Sequence, residues 1–303
     1  MDIPGTSALP KTELVAETVE VDGRTRTLKV LSAGREHAPL VIVLHGSNQD
    51  SGRFRRFTGG AFDGFVEYGA TVAYLDGYRG HWNDARVSQR FAARTEGYDD
   101  VAFVRAVVDL LVQRYHGDPA HVVLVGFSNG GQMVLRLVHE MPDALAAAVV
   151  LSATQPVPDN FAPTSPKELP VPMMFVHGTK DPLVPYSGGM ASMWGFRPRG
   201  KGLSAPETAA RYAERNGITE KPVILEVLRQ GRLWLEQTEY HQPDHSSVVL
   251  VTVHGGGHTI PGPRKAPLFM GRTDHGFDTV RAIAEFANLA TDADNQRTQD
   301  EQE

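Results

Sequence analysis

Ser128 stands in the string Gly126–Phe127–Ser128–Asn129–Gly130, between the short apolar run 122–125 and an amphipathic stretch that begins near Gln132. A serine framed by glycines at a strand-to-helix turn is the arrangement of a nucleophile elbow. The turn imposes strained backbone angles on the serine, and glycine at the flanking positions lets the neighbouring chain pass without a side-chain clash. The hydroxyl then projects from the turn, and the first N–H groups of the helix behind it face any negative charge that develops on a bound carbonyl.

A serine hydroxyl is a poor nucleophile, so it needs a base, and the base needs a carboxylate to fix its tautomer and stabilise the imidazolium. With the order serine, acid, histidine, the acid expected is Asp181, in His177–Gly178–Thr179–Lys180–Asp181 just beyond the apolar run 173–176. The base expected is His258, in His254–Gly255–Gly256–Gly257–His258–Thr259, where three glycines let a loop fold back over the site. The chain has twelve histidines, and the others read differently. His177 and His254 read as hydrogen-bonding residues at strand ends, and His37, His116 and His139 as surface residues. His275 lies close to a helix start and lacks a glycine loop. His241, Asp244 and His245 resemble a ligand cluster but straddle Pro243, which reads as a solvated turn.

Attack on a carbonyl also demands oxyanion donors. The expected pair is the backbone N–H of Asn129, directly after the nucleophile, and that of Ser47, in His45–Gly46–Ser47–Asn48–Gln49 after the run 40–44. Trp82, Phe127, Tyr186 and Trp194 are the candidates to line a substrate pocket. Core packing is the alternative for each, and Trp82 with Asn83 reads equally well as a brace beneath Ser128. No metal and no organic cofactor is expected.

The elements that must hold these groups are legible as patterns. Runs at 40–44, 71–75, 122–125, 147–151, 173–176 and 248–253 are short and nearly continuously apolar, as strands buried on both faces are. Between them, Val101, Val104, Val108 and Leu111 recur at helical spacing over 100–115, with aspartates at the start and Gly117 after the end. Met133, Val134, Leu137, Val138 and Met141 predict a helix stopped by Pro142, and 277–286 predicts a last one. Asp22–Gly23, between 19–21 and 25–30, predicts an opening antiparallel hairpin. A second hairpin, 223–228 with 232–240, reads as an antiparallel insertion. The fold class expected is α/β, a mostly parallel central sheet with helices on both faces and an N-terminal antiparallel hairpin. The proline-rich stretch 155–172 and the segment 187–216 read as a rim or partial lid at the carboxyl edge of that sheet.

With 303 residues, 41% of them hydrophobic, one large core suffices. The expected organisation is a flexible N-terminus over 1–13, a catalytic domain over 14–290 and a disordered acidic tail over 291–303. A net charge of −6 with scattered Lys and Arg leaves no footprint for nucleic acid or an anionic membrane. Zero cysteines exclude disulfides, a thiolate nucleophile and a cysteine zinc site. No signal peptide or spanning segment is visible near the start, so a cytoplasmic location is expected. The oligomeric state is not readable.

Taken together, Leu44–His45–Gly46, Tyr74–Leu75–Asp76–Gly77 with Trp82–Asn83–Asp84, Asp99–Asp100–Val101–Ala102–Phe103, Gly126–Phe127–Ser128–Asn129–Gly130–Gly131 and Gly256–Gly257–His258–Thr259–Ile260–Pro261–Gly262 resemble one branch of the α/β-hydrolases. That branch is the polyhydroxybutyrate depolymerase and feruloyl or acetylxylan esterase group of carbohydrate esterase family 1. The resemblance implies an α/β-hydrolase fold and a carboxylesterase whose triad maps onto Ser128, Asp181 and His258. The chain lacks the cysteines near the His–Gly loop and the linker with a separate binding module that polymer degraders of the group often carry. The expected substrate is therefore a soluble small-molecule ester of an aromatic-acyl, hydroxyacyl or acetyl kind. A polyhydroxyalkanoate-oligomer depolymerase, a serine peptidase or thioesterase using the same triad, and a non-catalytic binding protein that keeps the fold are the alternatives.

Overall fold

The computed structural model describes residues 13–192, 196, 198–230 and 233–289, with 227–230 described by backbone alone. The expectations for residues 1–12, for the tail and for Trp194 lie outside the described residues. The chain opens with β1 (Leu14–Val21) and β2 (Arg24–Leu31), joined through Asp22 at φ 49° and Gly23 at φ 71°. A type I′ two-residue hairpin turn requires positive φ at both central positions, and Asp–Gly supplies it.

There follow β3 (Ala38–Leu44), α1 (Ser51–Phe57), β4 (Thr71–Leu75), α2 (Ala92–Thr95), α3 (Asp100–Tyr115) and β5 (Gly117–Phe127). Next come α4 (Asn129–Glu140), β6 (Ala147–Leu151), β7 (Met173–Gly178), β8 (Gly189–Met190), β9 (Lys201–Gly202) and α5 (Ala205–Arg215). The chain then forms β10 (Val223–Gln230), β11 (Leu233–Tyr240), β12 (Val248–His254) and α6 (Thr279–Phe286).

One ten-stranded sheet runs in the order β1-β2-β4-β3-β5-β6-β7-β12-β11-β10. The strands from β4 to β12 in that order are mutually parallel, and the two outer pairs are antiparallel. The second hairpin is antiparallel, as expected, and extends this same sheet. Trp234–Tyr240 of β11 pairs with β12, supplying the hydrogen-bond partners that the outer edge of β12 needs.

Alternation along the strands divides the apolar side chains between two cores. Leu40, Ile42 and Leu44 face the layer built by α3, α4 and α5, whereas Val41 and Val43 face Phe54, Phe62, Phe65 and Ile283. Both faces are covered, which is why the central runs read as continuously apolar. The start of α3 is capped by Asp99, whose carboxylate accepts from the Ala102 N–H at 2.9 Å. It ends at Tyr115, ahead of Gly117 as expected; His116 takes the left-handed conformation at φ 52° and returns its N–H to Leu111, and Gly117 opens β5. Every parallel strand delivers its carboxyl end to the same edge, and the irregular loop 155–172 and the β8–β9 ribbon sit on connections leaving that edge.

Candidate active site

Ser128 occupies the turn between β5 and α4 with φ 54° and ψ −112°, outside the regions a non-glycine residue ordinarily populates. The turn is held by the Ser128 N–H on the Leu151 carbonyl at 2.8 Å and the Gln132 N–H on the Ser128 carbonyl at 2.9 Å. The glycines are needed for packing: a Cβ on Gly126 would collide with the Gly130 carbonyl, and one on Gly130 with the carbonyl of Leu44. The first turn of α4 is thereby pressed against the end of β3, where the chain turns into the Ser47 loop. At the start of a helix the first N–H groups have no intrahelical partner, and Asn129 is the first residue of α4.

Asp181 lies in the turn after β7. Its Oδ1 accepts from the Leu183 and Val184 N–H groups, each at 2.8 Å, and its Oδ2 is 2.7 Å from His258 Nδ1. His177 Nε2 stands 3.4 Å from the same oxygen and 2.9 Å from the Val184 carbonyl. Burial pushes the Asp181 carboxyl up, but the imidazoles of His258 and His177 outweigh it and hold the group well below the usual carboxylate range. His258 itself is only 2% exposed and packs its ring 5.0 Å from that of Phe127. Its loop is clamped by backbone bonds, His258 N–H to Met270 at 2.7 Å and Gly257 N–H to Arg272 at 2.9 Å. A Cβ on Gly257 would run into the Met270 carbonyl, so glycine there lets the two segments touch.

Beneath the Ser47 loop lies a polar layer. His45 is fully buried; its Nε2 accepts from the Gly77 N–H at 2.9 Å, which leaves Nδ1 to donate to the Gly46 carbonyl at 2.7 Å. Burial pulls its pKa down to about 4, so the ring is neutral. Trp82 Nε1 donates to the His45 carbonyl at 2.8 Å, and the Trp82 backbone N–H to Asn129 Oδ1 at 3.0 Å. Asn129 Nδ2 in turn donates to Asp84 Oδ2 at 2.5 Å, and Arg86 closes the set with three bonds to the Asp84 carboxylate, from its backbone N–H, Nε and Nη2. Trp82–Asn83–Asp84 therefore ties the elbow to the Ser47 loop.

Ser128, His258, Asn129 and Ser47 all line one cavity of about 340 Å³. Its apolar wall comes from Phe57, Phe127, Leu183, Val184, Phe269 and Met270, and the 187–202 segment contributes Ala191 and Gly202 to the rim. Of the aromatic residues expected at the pocket, Phe127 is there. Trp82 is not: its ring is fully buried in the core, and it acts as the brace just described. Tyr186 is displaced too, its hydroxyl 2.8 Å from Thr252 Oγ1 and its ring edge-on to His177, behind the acid turn. His139, expected at the surface, is 2% exposed and meets the Tyr212 hydroxyl at 3.1 Å, because the apolar face of α4 carries it into the α5 contact. Sequence reasoning missed Arg86, Arg199 and Lys201 in the cavity wall. They come from segments without periodicity, and no motif marks them.

A sequence profile of the phospholipase/carboxylesterase family matches residues 91–194. NocK of Nocardia uniformis subsp. tsuyamanensis, a protein named as an esterase, is 32% identical over 290 residues, spanning 89% of this chain and 81% of NocK. The chain belongs to the phospholipase/carboxylesterase family. It is a carboxylic ester hydrolase with the α/β-hydrolase fold. This esterase is also 26% identical over 228 residues to feruloyl esterase B of Piromyces equi, covering 74% of the chain but only 40% of that protein. The structure of an acetyl xylan esterase from Aspergillus awamori superposes with a TM-score of 0.62 at 14% identity, covering 91% of this chain and 100% of that one, which reflects the shared fold. Among the described residues, no helix is long and apolar enough to cross a membrane.

Proposed function

We propose that this esterase works by two-step acyl transfer on Ser128. His258 takes the hydroxyl proton as Oγ attacks the ester carbonyl. The carbonyl oxygen gathers negative charge facing the Asn129 and Ser47 backbone N–H groups, and the alcohol leaves with the proton His258 returns to it. Water then enters by the same route and releases the acid. Asp181 orients the imidazole and stabilises it while charged. The observation that supports this reading most is the 2.7 Å contact of His258 Nδ1 with an Asp181 oxygen, in a cavity that Ser128 shares from a strained turn.

The cavity is of a size for one small molecule and mostly apolar, which favours a soluble ester with an aromatic, hydroxylated or acetyl acyl group. Relatives named for feruloyl and acetylxylan esters point the same way. Ser128→Ala is expected to lower turnover of p-nitrophenyl acetate by at least about a thousandfold with the fold intact. Retention of most wild-type activity sinks the serine assignment. A panel of methyl ferulate, acyl thioesters and peptides tests the substrate class, and a preference for peptides overturns it.

A further inference from the structure

The charge of the cavity wall is one-sided. Arg86, Arg199 and Lys201 line it, and among the described lining residues there is no Asp or Glu, although the chain as a whole carries −6. Arg86 is compensated inside the wall, with Nε and Nη2 both on Asp84. Arg199 and Lys201 lie on the rim, and the Arg199 guanidinium also packs over the Phe91 ring, 5.4 Å from its centroid. The Arg199 N–H bonds the Ala191 carbonyl at 2.7 Å, and the Lys201 carbonyl accepts from Val157 at 3.2 Å, so the backbone under both cations is tied down. Arg199 Nη1 also donates to Ser47 Oγ at 3.0 Å, which sets the guanidinium at the proposed oxyanion loop. An apolar acyl group would draw no charge–charge attraction from a rim that carries two cationic residues and, among the described lining residues, no acid.

Building on the serine-esterase reading above, we infer that the ester this enzyme takes carries a carboxylate besides the scissile bond, and that Arg199, supported by Lys201, is the residue that selects it. A guanidinium presents a planar fork that matches a carboxylate, and a charge-assisted bond at the mouth of an apolar cavity is stronger than a neutral one. The reaction is unchanged: the ester C–O bond breaks, water supplies the hydroxyl of the new acid, and the second carboxylate is not altered.

The test compares matched esters on the full chain. Mono-p-nitrophenyl glutarate against p-nitrophenyl pentanoate places the charge on the acyl part; para-acetoxybenzoate against its carboxamide places it on the alcohol part. Wild-type kcat/KM is expected to favour the anion by roughly tenfold in at least one pair, as befits a charge-assisted hydrogen bond. That preference should shrink at high ionic strength. Arg199→Gln should abolish most of it, while Arg281→Gln, the same charge change on the exposed face of α6, should keep it. Neutral esters matching or exceeding the anions in both pairs overturns the inference, as does a preference that survives Arg199→Gln. A guanidinium that merely pins Ser47 would slow both members of each pair alike and leave their ratio unmoved, which also overturns it. Should Arg199→Gln not fold, the wild-type salt dependence decides, and a salt-independent ratio counts against the assignment. Ser128→Ala is run beside it. Hydrolysis that persists in that variant refutes the serine mechanism, whereas a lost charge preference with Ser128 still required refutes only this inference.

Discussion

The Asn129 side chain offers the sharpest test of how the site is braced. Replacing it with Ala keeps the backbone N–H proposed to hold the oxyanion but removes two side-chain bonds. The Trp82 N–H, on a fully buried residue, loses its acceptor, which costs about 1–3 kcal/mol. Asp84 loses the Asn129 amide but keeps the three bonds from Arg86, so that loss adds about 1 kcal/mol. A total near 3 kcal/mol corresponds to a fall in Tm of about 5 °C for a chain of this length. Asn129→Asp separates the brace from a simple helix-start effect. An acid in the first turn ordinarily favours a helix, but here its second oxygen would face the Asp84 carboxylate, so Asp should be worse than Ala. Thermal melts and urea titrations of the three proteins, with kcat/KM on p-nitrophenyl acetate, decide the matter. A Tm within a degree of wild type for Asn129→Ala, or an Asp variant more stable than the Ala one, refutes the brace.

Asp181→Asn keeps an acceptor for the Leu183 and Val184 N–H groups but turns an amide toward His258 Nδ1, favouring the wrong tautomer; kcat should fall by about ten-thousandfold while the melting curve moves little, and steady-state kinetics beside a melt check both. Gly130→Ala places a methyl group on the Leu44 carbonyl, so soluble folded yield should collapse, which size-exclusion chromatography and circular dichroism would show. Acid should destabilise the fold through two neutral buried imidazoles. Burial holds His45 at about 4, and burial with Arg215 and Arg211 nearby holds His139 at about 3, both below the ordinary value of 6.5. The unfolded chain therefore binds protons that the folded one refuses, and stability falls as pH drops below 6.5, by about 1.4 kcal/mol per unit for each ring until its folded pKa is reached. His139→Gln should flatten the slope between pH 6 and 4.5, and an unchanged slope in urea titrations refutes that assignment.

The central sheet was legible because strands covered on both faces must be apolar throughout, and the runs at 71–75 and 147–151 match β4 and β6 residue for residue. Contact between Asp181 and His258 was legible for a related reason: each follows an apolar strand, and β7 and β12 are parallel neighbours that end at one edge. What escaped was set by packing between distant segments. The polar stretch Asp118–His121 hides the first half of β5, and α1 is too short to show a period. Tryptophan and tyrosine advertise burial and a polar tip, not which cavity they serve, so Trp82 was readable either as a pocket residue or as the brace it is, and Tyr186 read as a pocket residue when it holds a loop behind it. The cations of the cavity wall are invisible in one dimension because Arg86 and Arg199 are 113 residues apart and meet only in the fold, where Arg86 Nη1 donates to the Arg199 carbonyl.

The clamp between the His258 loop and the Met270–Arg272 segment makes the wall and the proposed base a single mechanical part. Phe269 and Met270 touch whatever fills the cavity, and the carbonyl of Met270 grips the amide of His258. A guest that shoves this wall outward should therefore drag the imidazole with it, so that, on the proposed mechanism, bulky inhibitors aimed at Phe269 would disarm the enzyme through His258 without ever reaching Ser128.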